Sequence, residues 1–306
     1  MAIYTEQIIF LMVVLFITGL SEGNIVIAQS SIADTVNPNQ KSHYFGYINV
    51  AVSTAYILGP LIGGKLADPT LSSWFTNATP FVAVFMLLGI TFIWILFGMQ
   101  DTSRARKNVP IHYLGALTNL ANVFIDQKRR IYFLINFLIY LAVFGFFRSY
   151  PMLLVGHFHM SVSQESEFIA WVSVPIIVAN LGLTGLLARH VSTKTIILST
   201  ALLTGCFLIL IIIPASMHVL WVTLFLAGFS IALCMPATYT LISNLTSGGH
   251  QGQVMGNNQS IQVGAEAVSG IVAGMLAGVM IALPLIVFAC ISFLAGGLLL
   301  LKRPSN

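Results

Sequence analysis

The chain has 306 residues, of which 57% are hydrophobic and only 7% are charged, with 13 basic and 9 acidic side chains. So few polar residues cannot form the surface of a water-soluble protein of this size, so the sequence predicts a protein that is mostly surrounded by lipid. The few basic residues cannot form a phosphate-binding face, and no nucleic-acid partner is expected. The three cysteines lie in separate apolar runs, which indicates neither a disulfide framework nor a thiolate metal site.

Nine apolar segments, each about long enough to cross the hydrocarbon core as a helix, follow one another along the chain. Unbroken apolar runs such as 208–213 exclude the alternating pattern of a membrane barrel. The predicted fold class is therefore all-α, a polytopic helical membrane protein. The predicted spans are 7–34, 43–66, 79–99, 131–155, 166–188, 194–213, 217–245, 252–276 and 282–301.

The basic residues predict how the chain is oriented. If successive loops alternate sides, every lysine and arginine except Lys65 and Arg148 falls on one side. Because basic residues concentrate in cytoplasmic loops, this side and the C-terminus are predicted to be cytoplasmic. The long loop at 100–130 has apolar residues at helical spacing between basic clusters. It is predicted to be a cytoplasmic linker with an amphipathic helix on the membrane surface, the alternative being a disordered tether.

Two parts of the sequence repeat at a nearly constant offset. Leu15 and Gly19 recur as Leu224 and Gly228, and after a one-residue insertion the matches continue into the next span. This pattern predicts two homologous halves. The second half, at 131–306, is predicted to be a six-helix bundle. The first, at 1–99, has three spans, so it is expected to be a partial bundle that corresponds to the last three helices of a complete one.

Small residues dominate one face of the second span. They allow two helices to approach closely, and the Gly59-Pro60 pair permits a bend because proline has no backbone N–H to donate. The run resembles the antiporter motif of the fifth helix in the major facilitator superfamily, although Ala55 stands where that motif has glycine. The motif positions are Gly46, Ala55, Gly59, Pro60, Gly63 and Gly64.

The preceding run GLSEGNIVIAQSSIADT, at 19–35, also resembles the end of the fourth helix in tetracycline-type and multidrug exporters of this superfamily. The resemblance implies a two-bundle architecture, here with an incomplete first bundle. It also implies that the glycine motif lies at the interface between the halves and favours export. Generic packing of membrane helices, in which glycine and proline are common, is the alternative explanation of the motif.

Three ionisable residues, Glu22, Arg148 and Glu266, lie inside predicted spans, where an unpaired charge costs roughly several kcal/mol. Both glutamates are candidates for proton coupling, because a carboxylate in a desolvated cavity can load and release a proton. By resemblance Arg148 lies on a pathway-lining helix, where it is expected to pair with a glutamate or hold an anionic substrate group. A fixed interhelical ion pair is the structural alternative. Further candidates for the substrate pathway share the helical face of Glu22, at Thr18, Ser21 and Gln29.

The sequence predicts a transporter and not an enzyme. No HExxH, GxSxG or phosphate-binding glycine loop occurs, and no cofactor or metal is expected. The main hypothesis is a monomeric secondary active transporter of the inner (plasma) membrane that works by alternating access and exports small amphipathic compounds in exchange for protons. Its expected partners are a small-molecule substrate, protons and membrane lipid. The alternatives are proton-coupled uptake of a small metabolite and a truncated chain that does not transport.

Overall fold

The computed structural model describes residues 8–20, 41–98, 130–213, 216–244 and 251–301. In these ranges the backbone is helical apart from short turns and contains no strand, which confirms the all-α fold class. The helices are α1 (Ile8–Leu20), α2 (Lys41–Leu66), α3 (Thr79–Gly98), α4 (Arg130–Phe158), α5 (Val162–Val178), α6 (Thr184–His190), α7 (Thr193–Leu210), α8 (Met217–Asn244), α9 (Gln251–Ala277) and α10 (Leu283–Leu301).

Six of the described helices are long and apolar enough to cross a membrane: α3, α4, α7, α8, α9 and α10. Each coincides with a predicted span, because the need for about 20 apolar residues leaves a strong signal in the sequence. The first predicted span is described only as far as Leu20. The predicted linker at 100–130 lies outside the described residues except for its last residue.

The predicted span at 166–188 is one continuous helical stretch with a wide turn inside it. α5 passes into a π-helical turn at Ala179–Leu183 and then into α6. The hydroxyl of Thr184 donates to the carbonyl oxygen of Ala179 at 3.0 Å, and Pro175 removes one backbone donor just before the turn. A π turn adds a residue to the helical repeat, so the side chains of α6 follow a different face from those of α5.

The described residues group into two compact units. The larger, unit 2, comprises Ile111–Met160 and Phe168–Asn306. In its described part α4 packs along α9 and α10, and α7 packs along α8 and α10. Helices in lipid associate through close packing rather than through a hydrophobic driving force. Gly145 of α4 allows such an approach, because a Cβ at this position would collide with the buried ring of Phe288 on α10.

α4 and α9 run in the same direction. Asn136 of α4 contacts Asn258 of α9, and further along both helices Arg148 contacts Glu266. The later residue of α4 contacts the later residue of α9, so the two helices point in the same direction. Two parallel spanning helices must be separated by an odd number of crossings, and this requirement is met when α5, the π turn and α6 count as a single crossing.

The smaller unit, unit 1, comprises Met1–Pro110 and Ser161–Glu167. Its α3 has no buried residue, and the large apolar side chains of this helix, Trp94 and Phe97 among them, are exposed. A helix that is apolar on every side is suited to a lipid solvent. The turn before α3 is held by its first residue, since the hydroxyl of Thr79 accepts a hydrogen bond from the backbone amide of Thr76 at 2.8 Å.

Candidate functional site

An ion pair in unit 2 joins α4 and α9. Nη2 of Arg148 lies 3.3 Å from Oε1 of Glu266, and their side chains are 54% and 43% exposed. The pair therefore lies at the side of the helix bundle and not in its core. Outside bulk water such a pair is weakly screened, so each residue depends on the other for charge compensation. The structure thus brings together two of the ionisable residues that the sequence placed inside spans.

A second polar contact lies on the same side of α9. The hydroxyl of Tyr239 on α8 contacts Oε1 of Gln262 and lies 3.5 Å from Oε1 of Gln259. Gln262 and Glu266 are one helical turn apart, so they lie one above the other on α9. The glutamines and Glu266 form a polar stripe, and Tyr239 contacts it from the neighbouring helix.

Asn136 and Asn258 form a buried amide pair at another level of the same helix contact. Nδ2 of Asn136 donates to Oδ1 of Asn258, while the second polar atom of each amide has no partner. These residues are 2% and 0% exposed. Tyr140 lies one turn after Asn136 and is also fully buried. Its hydroxyl lies beside Asn258 without forming a hydrogen bond of ordinary geometry.

Asn136, Tyr140, Tyr239 and Asn258 were not predicted from the sequence as site residues. One signal was present for two of them, because Asn136 and Tyr140 are four residues apart and share one face of α4. A neutral polar residue in an apolar helix is too common to be informative by itself. Asn136 becomes informative only through its contact with Asn258 on α9, which lies more than a hundred residues further along the chain.

Unit 1 has an ionic contact of its own at the end of α2. Nζ of Lys65 lies 2.5 Å from Oε1 of Glu167 and 2.8 Å from Oγ of Ser163. Beside it Gly64 is buried, and a Cβ at this position would collide with Ser166. The segment Ser161–Glu167 therefore supplies both the partners of Lys65 and the surface against which Gly64 packs.

Asp68 follows α2 and is stabilised in its charged form by its own turn. Thr70 donates to Oδ1 of Asp68 from its hydroxyl at 2.7 Å and from its backbone amide at 2.9 Å. These hydrogen bonds hold the pKa of Asp68 below its ordinary value of 3.8, and the charge of Lys65 adds a smaller effect in the same direction. Asp68 is therefore a carboxylate at neutral pH.

The residues predicted to share the face of Glu22 are mostly outside the described structure. Thr18 is described: it is exposed on α1, and its hydroxyl donates to the carbonyl oxygen of Val14 at 2.9 Å. Ser21, Glu22 and Gln29 lie outside the described residues. Their roles therefore stay predictions.

The glycine motif lies on α2. Among the motif glycines whose surroundings the structure describes, Gly64 packs against another segment, whereas Gly59 and Gly63 face open space. Pro60 lies inside the helix without ending it. Close packing of the described motif is thus found at its last position. The other motif positions on α2 are Gly46 and Ala55.

A small cavity lies among α6, α7 and α8. Its volume is about 40 Å³, and Thr184, Leu187, Thr193 and Pro236 are among its lining residues. A space of this size accommodates about one water molecule and is too small for an amphipathic substrate. Within the described ranges, no group of three or more His, Cys, Asp or Glu residues is placed to hold a metal ion.

Long apolar helices that pack through glycine, with an arginine and a glutamate paired at the side of the bundle, define a polytopic helical membrane protein. The family model of the Major Facilitator Superfamily matches residues 1–269 and, in an overlapping second match, residues 132–306. The chain therefore belongs to the Major Facilitator Superfamily, whose members are transporters and not enzymes.

Curated relatives include bacterial resistance proteins and a mammalian protein. The chain is 24% identical over 262 residues to the tetracycline resistance protein, class B, of Escherichia coli, covering 78% of this chain and 58% of the relative. It is 27% identical over 237 residues to multidrug resistance protein 2 of Bacillus subtilis, covering 75% and 56%. It is 25% identical over 291 residues to major facilitator superfamily domain-containing protein 10 of Bos taurus, covering 84% and 59%. The chain thus spans less than two thirds of the length of these relatives.

The fold is similar to that of the crystal structure of the human organic anion transporter MFSD10 (TETRAN). The TM-score is 0.61 at 22% sequence identity, and the match covers 92% of this chain and 68% of the other. A likeness at this identity shows the fold. Together with the family model it confirms the superfamily that the glycine motif and the span order predicted.

Proposed function

We propose that the protein is a proton-coupled secondary transporter that exports small amphipathic compounds by alternating access. The observation that carries this proposal is the Arg148–Glu266 ion pair on α4 and α9. The names of the tetracycline resistance and multidrug resistance relatives support the export of such compounds. The glycine motif on α2 supports the same direction of transport, and the double match of the family model supports two homologous halves.

Glu266 is the proton site in this proposal. As a carboxylate it is attracted by Arg148, and on protonation it loses its charge and with it that attraction. A cationic group on a substrate competes with the proton for the same carboxylate, so the two ligands exclude each other. Mutual exclusion links substrate exit to proton entry, which is antiport. Glu22 is proposed as a second proton site on sequence grounds, with Thr18, Ser21 and Gln29 beside it on the substrate pathway.

The other member of the ion pair favours a second candidate function. An anionic substrate that binds the half-exposed Arg148 displaces Glu266, and protonation of the displaced carboxylate removes a charge that has lost its partner. The anion and the proton therefore bind together, which couples them as symport and favours uptake of a small anionic metabolite. The printed description of MFSD10 as an organic anion transporter supports this candidate.

Inside-out membrane vesicles with an acidic lumen distinguish the two functions. An antiporter accumulates a cationic fluorescent dye in the lumen as protons leave, whereas a symporter moves its anion outward with the proton. For the antiporter we expect Glu266→Gln to abolish accumulation and Glu266→Asp to retain it. Glu165→Gln, which changes a carboxylate at the start of α5, is the matched control and is expected to leave accumulation intact. Undiminished accumulation in Glu266→Gln would remove this residue from the mechanism.

We also propose that the protein is a monomer in the inner (plasma) membrane with the linker at 100–130 and the C-terminus in the cytoplasm. The one-sided distribution of basic residues supports this orientation. Reporter fusions at position 115 and after position 306 test it. A reporter that fluoresces only in the cytoplasm is expected to be bright at both points, and an active extracellular phosphatase at either point would contradict the orientation.

A further inference from the structure

One small group of residues in unit 2 contains three buried polar atoms that have no hydrogen-bond partner. They are Oδ1 of Asn136, the hydroxyl of Tyr140 and Nδ2 of Asn258, and each belongs to a residue no more than 2% exposed. An unpaired buried polar atom is destabilising, particularly in lipid, where water cannot compensate it. Leucine or alanine would pack between α4 and α9 without this cost. The polar residues therefore need an explanation beyond helix packing.

The unpaired atoms define the chemistry of a ligand that would complete them. Nδ2 of Asn258 is a donor, Oδ1 of Asn136 is an acceptor, and the hydroxyl of Tyr140 can act as either. All three are uncharged, so a neutral group that both donates and accepts hydrogen bonds complements them best. An amide has this property, and so does a hydroxyl next to a carbonyl.

Tyr239 and two glutamines lie between these atoms and the surface. The ring of Tyr239 meets that of Tyr140 edge-on, with centroids 6.2 Å apart, and its hydroxyl contacts Gln262. The side chains on α9 differ in exposure: Asn258 is buried, Gln262 is partly buried and Gln259 is exposed. Tyr239 therefore contacts both the buried Tyr140 and the more exposed glutamines of α9.

We propose that Asn136, Tyr140 and Asn258, with Tyr239 and Gln262 at the entrance, form a subsite for an uncharged hydrogen-bonding group of the transported substrate. We call it the amide–phenol subsite. The inference rests on the proposed transport function and extends it, because recognition of a neutral group is separated from charge handling at Glu266. The rise of an α-helix places Asn258 and Glu266 about 12 Å apart along α9. The two positions suit a compound with polar groups at both ends of an apolar body.

Two probes of contrasting chemistry test the subsite. Tetracycline is rich in amide, hydroxyl and carbonyl groups, whereas tetraphenylphosphonium is a cation without any hydrogen-bonding group. Equilibrium binding of each probe is measured on purified protein in detergent at one pH, without a proton gradient. The double variant Asn136→Leu/Asn258→Leu removes both amides together, and Tyr140→Phe removes a single oxygen atom. Ser149→Ala is the matched control, because it deletes another unpartnered buried oxygen of α4 outside the subsite.

We expect the Kd for tetracycline to rise about tenfold in the double variant and about threefold in Tyr140→Phe, since each lost hydrogen bond to a neutral partner changes affinity by such factors. The Kd for tetraphenylphosphonium should stay unchanged in both variants, and Ser149→Ala should change neither affinity. Melting temperatures at or above that of the wild type are expected, because unpaired atoms are removed. If the double variant does not fold, the conservative Tyr140→Phe decides by itself.

An unchanged tetracycline Kd in folded variants would overturn the subsite, as would an equal loss of affinity for both probes. A wild-type protein that does not bind tetracycline would overturn it as well. Failure of the transport proposal has a different signature: tetracycline binding stays selective for the intact subsite, but inside-out vesicles of the wild type show no accumulation driven by the pH gradient.

Discussion

Nζ of Lys65 and Oε1 of Glu167 lie 2.5 Å apart, although 102 residues separate them in the chain. Ser163 lies one helical turn before Glu167 and accepts a second hydrogen bond from Lys65. Both charged side chains are 43% exposed, and pairs with this exposure contribute about 0–1 kcal/mol in water. The contact therefore holds the segment Ser161–Glu167 at the end of α2 and adds little stability.

Removal of this contact from either side should lower the stability of the protein by a similar small amount. Lys65→Ala and Glu167→Ala are each expected to lower the free energy of unfolding by about 0.5 kcal/mol, and the double variant should lose less than the sum of the two. Thermal unfolding of the four proteins in detergent measures the coupling. The exchanged pair Lys65→Glu/Glu167→Lys is the control and should recover most of the loss. Strict additivity of the two single losses would show that the contact contributes no energy.

Two neighbouring glycines of the α2 motif should respond differently to the same substitution. Gly64→Ala places a Cβ against Ser166 and is expected to cost about 1–3 kcal/mol, whereas Gly63→Ala points into open space and should be tolerated. Folded yield and melting temperature provide the measurement. Ser166→Gly combined with Gly64→Ala should recover most of the loss, because it removes the two Ser166 atoms that collide and leaves only the approach to the carbonyl oxygen of Val162. Equal losses at positions 63 and 64 would contradict the described packing.

The close contact between α4 and α10 in unit 2 leads to a similar prediction. Gly145→Ala drives a Cβ into the ring of Phe288 and is expected to lower the free energy of unfolding by about 1–3 kcal/mol. Gly264→Ala on α9 meets no atom within 4 Å, so alanine should be neutral or slightly stabilising there through its higher helix propensity. Denaturation of both variants and the wild type in one detergent provides the comparison, and a Gly145→Ala protein as stable as Gly264→Ala would be inconsistent with the contact.

The pKa of Asp68 predicts a pH dependence of stability. Its value is lower in the folded protein than its ordinary 3.8, so the hydrogen bonds from Thr70 stabilise the fold above about pH 4. This contribution is lost as the pH falls through the lowered pKa. Thr70→Val removes the hydroxyl donor, and its melting temperature should lie below that of the wild type at neutral pH. The difference should disappear in acid, and a difference that persists unchanged at about pH 2 would exclude this origin.

Glu22 gives a prediction that rests on sequence alone. Glu22→Gln is expected to abolish proton-coupled flux while the protein still reaches the membrane, because the amide cannot carry a proton in exchange. Dye accumulation in inside-out vesicles, normalised to the amount of protein in the membrane, is the measurement. Glu22→Asp keeps the carboxylate and serves as the control. Flux equal to that of the wild type in Glu22→Gln would exclude the residue from proton coupling.

The spans could be predicted because lipid imposes a length and a composition on each helix separately. α3, α4 and α10 therefore begin and end within a few residues of their predicted bounds. The π turn in the stretch at 162–190 left no comparable signal, since Ala179–Leu183 are as apolar as an ordinary helix. Local composition reports burial in lipid but not the hydrogen-bonding pattern within a helix.

The site was only partly predictable for a related reason. Arg148 and Glu266 were identified because a charge inside a span is costly and rare. Their pairing was one of two arrangements expected for Arg148, and it depends on α4 and α9 being neighbours. Asn136 and Asn258 cost less as single residues and so do not stand out in composition. They become informative only when the fold places them opposite each other with two of their polar atoms unpaired.

The parallel contact of α4 and α9 restricts how these helices can move. Its two polar contacts are about 18 Å apart along α4 but about 12 Å apart along α9, and the long side chain of Arg148 spans the difference. Sliding one helix past the other would break both contacts simultaneously. Splaying at one end breaks a single contact and leaves the other as a pivot. For these two contacts, splaying therefore costs less than sliding: the helices can separate at the amide end while the ion pair holds, or the reverse.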